Sequence, residues 1–138
     1  MEQFAVYGHA IASMMGVALL ALLLSPLSAM KKTAAGLAPG ATPEQDYSSP
    51  VYRWHRCYGN LTESIGTFGL VVVGAMLAGV DPAWVNWLAS LYFLSRVLLA
   101  VVHLSGIGKP DMSLRSFTYV AGWAMLAILA IKTLSEVI

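Results

Sequence analysis

Long apolar runs alternate along this chain with short stretches of charge, glycine and proline, and the runs fall at about residues 4–30, 51–80, 83–106 and 115–137. A bilayer core of about 30 Å takes about 20 helical residues to cross, and every run meets that length. The pattern predicts an all-α protein, an integral membrane four-helix bundle, with residues 1–138 forming a single four-span membrane domain. Punctuation supports the division. Pro50 suits the first turn of span two, where a missing N–H costs nothing. Asp81-Pro82 forces a tight break and makes spans two and three an antiparallel pair. Pro26 is expected to kink span one, residues 33–49 read as a loop, and Gly66, Gly69, Gly74 and Gly79 permit close helix contact along span two.

Composition narrows the class. The chain is 58% hydrophobic and 11% charged, with a mean hydropathy of +0.71, and the linkers leave no room for a soluble domain. The first run is too long for a signal segment and has no basic residues before it, so it reads as a retained helix. One cysteine, Cys57, excludes an internal disulfide, and His9, His55 and His103 have no metal-site spacing. Neither a metal nor a nucleic-acid partner is expected. Lys31, Lys32, Arg53 and Arg56 flank the first connection and Lys109 and Arg115 the third, whereas the Asp81-Pro82 turn has no basic residue. The positive-inside rule then puts the first and third connections in the cytoplasm and both termini on the opposite side.

Polar residues inside the spans are the functional suspects, because ionisable groups in lipid are costly. Arg53, Arg56, Asn60 and Glu63 follow one another at intervals of three, four and three, which is one face of a helix. At 1.5 Å per residue, Arg56 lies about 9 Å, Asn60 about 15 Å and Glu63 about 20 Å below Pro50. Counted back from Gly106, Arg96 is about 15 Å deep and His103 about 5 Å deep on the same face. These depths predict that Arg96 pairs with Glu63 or Asn60, either as a structural clasp or as part of a site. Arg115, Ser116 and Tyr119 open span four at the same level, so three helices aim polar groups at one cytoplasmic-side cavity.

The run Arg53-x-x-Arg56-x-x-x-Asn60-x-x-Glu63, the deep Arg96 and the opening Arg115-Ser116-x-x-Tyr119 resemble the MAPEG family, membrane-associated proteins in eicosanoid and glutathione metabolism. The resemblance covers nearly the whole chain. It implies a homotrimer of four-helix bundles that binds glutathione as co-substrate between neighbouring subunits on the cytoplasmic side. Members conjugate glutathione to lipophilic electrophiles, reduce lipid hydroperoxides or isomerise eicosanoid precursors. Carried over by position, Asn60 and Glu63 match residues that hold the tripeptide's backbone and amino group, with Arg53 and Arg56 as basic neighbours. Lys31 and Lys32 resemble a basic pair reaching the tripeptide's carboxylates from the partner subunit. Arg115 matches the arginine credited with stabilising the thiolate, and Ser116 and Tyr119 match its neighbours. Arg96 and His103 complete the candidate set.

Departures from the family pattern are equally concrete. Leu99 stands where eicosanoid-type members have tyrosine or histidine, His103 stands where they usually have tyrosine, and Gly59 stands where the prostaglandin-forming branch has an arginine. These argue against a specific eicosanoid synthase. The expectation is a glutathione-dependent transferase or peroxidase of the detoxification type, with membrane lipid, hydrophobic small molecules and its own copies as partners. The alternative is a non-enzymatic scaffold that binds a lipid or small anion in the polar cavity. A channel or transporter has little support without inverted repeats or broken mid-span helices.

Overall fold

Each apolar run becomes one long helix in the computed structural model, which describes residues 2–107 and 113–138. A short α1 (Glu2–Ala5) precedes α2 (Gly8–Ala34), α3 (Pro50–Leu77), α4 (Pro82–Ser105) and α5 (Leu114–Val137), with no strand among the described residues. The four long helices are all apolar and long enough to cross a bilayer, and the protein is an integral multi-pass membrane protein. Lys109, used above to orient the third connection, lies outside the described residues.

The helix ends follow their sequence signals. Pro50 and Pro82 occupy the first turns of α3 and α4. Asp81 caps α4 by accepting a hydrogen bond from the Ala83 amide at 2.7 Å. Gly106 closes α4 with φ +72°, a left-handed conformation that other residues reach only with strain. Helix α2 runs on through Pro26 to Ala34, so the proline does not end it.

One boundary differs from the sequence expectation. The first run, read as continuous from residue 4, is broken before Gly8. The Asn86 side chain of α4 is inserted there: its Oδ1 accepts from the Ala10 amide at 2.9 Å, and its Nδ2 donates to the Val6 carbonyl at 2.8 Å. Those are the two groups an unbroken helix would join to each other. Tyr7, at the break, donates its hydroxyl to the Val80 carbonyl at 2.9 Å.

Helix α4 is the innermost, half buried where the others are buried over about a fifth of their length. It packs on α2, α3 and α5, while α2 and α5 lie on opposite sides of the α3–α4 pair. Val17, Phe68, Val72, Val85 and Tyr92 form the core, with the Phe68 and Tyr92 rings stacked at 4.2 Å. Leu19, Leu22, Leu70, Leu77, Trp123 and Ile131 point outward, as expected of a surface solvated by lipid. The glycines expected to tighten span two do not do so within the chain. A Cβ on Gly66, Gly69 or Gly74 would meet nothing within 4 Å.

Candidate functional site

The helical stripe on α3 organises the site. Arg56 lies one turn before Asn60 and two before Glu63, and its guanidinium donates to both: Nη2 to Asn60 Oδ1 and Nη1 to Glu63 Oε1, each at 2.9 Å. Asn60 crosses to α4, where its Nδ2 meets His103 Nε2 at 3.2 Å. The other ring nitrogen of His103, Nδ1, lies 3.1 Å from the Leu99 carbonyl. A carbonyl only accepts, so Nδ1 carries the proton and Nε2 accepts from Asn60, which is the neutral imidazole. The relay therefore runs from Arg56 through Asn60 and His103 to the α4 backbone.

Helix α5 supplies the facing wall. Arg56, Asn60, Glu63, Leu99, His103, Arg115, Ser116, Tyr119 and Val120 surround a cavity of about 330 Å³, with Tyr47 as the one residue from the first connection. Arg115 is buried and its guanidinium lies 3.8 Å from the centre of the Tyr47 ring. The same ring packs edge-on against Tyr52 at 5.0 Å and tilts toward His103 at 6.4 Å.

Two further groups hold this connection in place. Arg53 donates from Nη1 to the Tyr47 carbonyl at 2.9 Å and the Ser48 carbonyl at 2.7 Å. Asp46 accepts from the Ser48 hydroxyl at 2.7 Å and the Ser48 amide at 2.8 Å. These bonds from Ser48, the hydroxyl first, hold the Asp46 carboxyl below its ordinary pKa.

Seven of the eleven residues singled out in the sequence thus meet at one cavity. The remaining four lie elsewhere. Arg53 clamps the first connection. Lys32 donates to the Pro39 carbonyl at 3.2 Å, and Lys31 lies 5.9 Å from the Trp54 ring centre. Arg96 does not make the expected pair with Glu63 or Asn60 within the chain. Its Nη2 donates instead to the Thr118 and Tyr119 carbonyls at 3.2 and 2.9 Å. The reason is Gly122, which brings the α5 backbone so close that a Cβ there would overlap Arg96 Nη2 and Ser95 Oγ. Glu63 is taken by Arg56. Tyr47 was not legible as a site residue. As the only aromatic side chain of the first connection, it offered composition as its sole signal.

The MAPEG family model matches residues 9–135. The chain belongs to the MAPEG family. Comparisons with curated proteins and with solved structures gave no match. For a MAPEG member this arrangement has a plain chemical meaning. The cavity is lined by two guanidiniums, a carboxylate and an amide, groups that complement the charges of a zwitterionic or anionic ligand.

Proposed function

We propose that this MAPEG protein is a glutathione-dependent transferase or peroxidase acting on lipophilic electrophiles or lipid hydroperoxides, and that it works as a homotrimer. The observation that carries the reading is the meeting of Arg56, Asn60, Glu63 and Arg115 at one cavity in a family member. Glutathione has two carboxylates, an ammonium group and a net negative charge, and the cavity's donors and acceptors complement them. Its volume of about 330 Å³ is at the small end of the range of about 300–1,000 Å³ for small-molecule sites.

Glutathione supplies the thiol, and only its thiolate is an effective nucleophile. Arg115 is assigned to that anion, since a neighbouring cation lowers a thiol's pKa. Arg56 and Asn60 hold the peptide, Glu63 its ammonium group, and His103 fixes the Asn60 amide. Ser116 and Tyr119 wall the cavity beside Arg115. Lys31, exposed at the bundle's edge, is assigned to the neighbouring subunit's site, and Lys32, buried against its own chain's Pro39 carbonyl, to holding the first connection beside it. The connections bearing the basic residues are assigned to the cytoplasm.

Two features support the oligomer. Glu63 has 54% of its side chain exposed at a depth of about 20 Å, where a carboxylate facing lipid is costly. The open glycine face of α3 lies further along the same helix. A neighbouring bundle packed on α3 covers both.

Calorimetric titration with glutathione in lipid nanodiscs, together with thiolate absorbance, tests the proposal. Saturable binding and a thiolate at neutral pH are expected. If the protein neither binds millimolar glutathione nor forms a thiolate, the enzyme reading fails, and a scaffold binding a lipid or small anion replaces it.

A further inference from the structure

Arg53 belongs to the helical stripe of Arg56, Asn60 and Glu63 but does not line the cavity they form. Among the described residues its hydrogen bonds go to backbone. The guanidinium Nη1 holds the Tyr47 and Ser48 carbonyls, and the Arg53 amide donates to the Ser49 carbonyl at 3.1 Å. One residue thus grips the last three carbonyls before Pro50. The same guanidinium rests on the end of α4. A Cβ on Gly106 would come within 3.0 Å of Arg53 Cζ and 3.2 Å of its Nε, so the glycine makes room for the cation there. A helix C-terminus carries partial negative charge and attracts such a group.

What Arg53 holds is Tyr47. The Tyr47 carbonyl is in its grip, while the Tyr47 ring lies 3.8 Å from the Arg115 guanidinium. Only two staggered torsions separate that backbone from that ring. With the backbone clamped and Tyr52 edge-on at 5.0 Å, the ring has one seat. Arg53 of α3 is thereby linked through a loop residue to Arg115 of α5. A ring face attracts a guanidinium and shields it from water, whereas an anion is gripped at the N–H edge. The remainder of the connection is tied down as well, by Lys32 at the Pro39 carbonyl and by the burial of Pro43.

We infer that Arg53 is a positioning residue, which acts through Tyr47 to keep the Arg115 guanidinium in place at the cavity. Its part in the reaction rests on the glutathione reading of that cavity. Its hold on the ring does not.

Two measurements test this. The first needs no ligand: the full-length protein in phosphatidylcholine nanodiscs carries 3-fluorotyrosine at position 47 alone, read by fluorine NMR. Its resonance should stand apart from that of free fluorotyrosine and should move when Arg115→Met removes the cation. Arg53→Met should move it most of the way to the free value. Arg53→Lys keeps the charge but not the fork, so it should move the resonance part of the way, and it decides the matter if Arg53→Met does not fold. A resonance indifferent to either arginine overturns the inference.

The second measurement follows glutathione thiolate absorbance against pH, and turnover with a model electrophile. Arg53→Met should raise the pH at which the bound thiolate forms and lower kcat about tenfold, with a smaller change in KM for glutathione. Arg53→Lys should restore part of both. Combined with Tyr47→Ala, Arg53→Met should cost nothing further, because both changes remove the same contact. Losses that multiply in the double variant, or an unshifted thiolate midpoint, make Arg53 a clamp of the fold alone and overturn the inference. If the native protein forms no glutathione thiolate, the proposed function fails by itself, and the fluorine resonance still decides whether Arg53 seats the ring.

Discussion

Arg56 holds Glu63 and Asn60 with its two arms, and Arg115 lines the same cavity from helix α5 with the Tyr47 ring packed on it. Their substitutions should therefore read differently. Arg115→Ala removes a cation from the proposed thiolate, so the bound thiol's pKa should rise. Turnover with a model electrophile should fall at neutral pH and partly recover at higher pH. Arg56→Ala and Asn60→Ala should instead weaken glutathione affinity, and single-turnover thiolate measurements separate the two effects. Gly122→Ala forces a methyl group into the space of Arg96 and Ser95. It should destabilise the protein by about 1–3 kcal/mol, seen as a lower thermal midpoint. The Arg56, Asn60 and Glu63 stripe was legible because helical spacing alone puts those residues on one face. The partners of Arg96 were not, since they are backbone carbonyls and no side-chain identity encodes them.

Among the elements, the first connection departs furthest from what its sequence suggested. Residues 33–49 read as an ordinary loop, yet Tyr47 from that segment forms part of the cavity wall and packs on Arg115. No periodicity marks such a contact, because loops carry none. Tyr47→Ala should remove the ring packed on the Arg115 guanidinium and lower turnover more than glutathione affinity, measured as a kcat effect larger than the KM effect. The turn beside it is pH-dependent. Asp46 has its pKa depressed by the Ser48 bonds, so its contribution is present above the ordinary carboxylate pKa and is lost as pH falls through the depressed value. Protection of the Ser48 amide, measured as its exchange rate relative to the unstructured rate at the same pH, should be present at neutral pH and lost only in acid. Ser48→Ala should remove the hydroxyl's share and move that change to higher pH.

For the whole molecule, the four spans and most of their ends were legible because lipid imposes a length and proline, aspartate and glycine mark the stops. The placement of α4 at the centre was not, since its apolar content resembles that of its neighbours and only packing distinguishes them. The proposed assembly beyond one chain rests on the exposed Glu63 and the bare glycine face of α3. Mass measurement of gently solubilised protein should return three chains. Leu70→Arg on that exposed face should yield fewer, because a charge set against a neighbouring bundle is costly. A stable, active monomer would remove the oligomer from the proposal.

The Asn86 amide also makes the shape of the first span depend on a later one. The first span is made before α4 exists, and without Asn86 the Ala10 amide and the Val6 carbonyl are expected to bond to each other and continue the helix through the break. In the finished fold the Asn86 amide stands between those two groups and bonds one with each end. Tyr7 then turns to the carbonyl of Val80. The discontinuity before Gly8 thus depends on a residue about eighty positions downstream. Asn86→Leu should leave that helix continuous in the mature protein, with Ala10 bonded directly to Val6 and only the outer rim of the bundle rearranged.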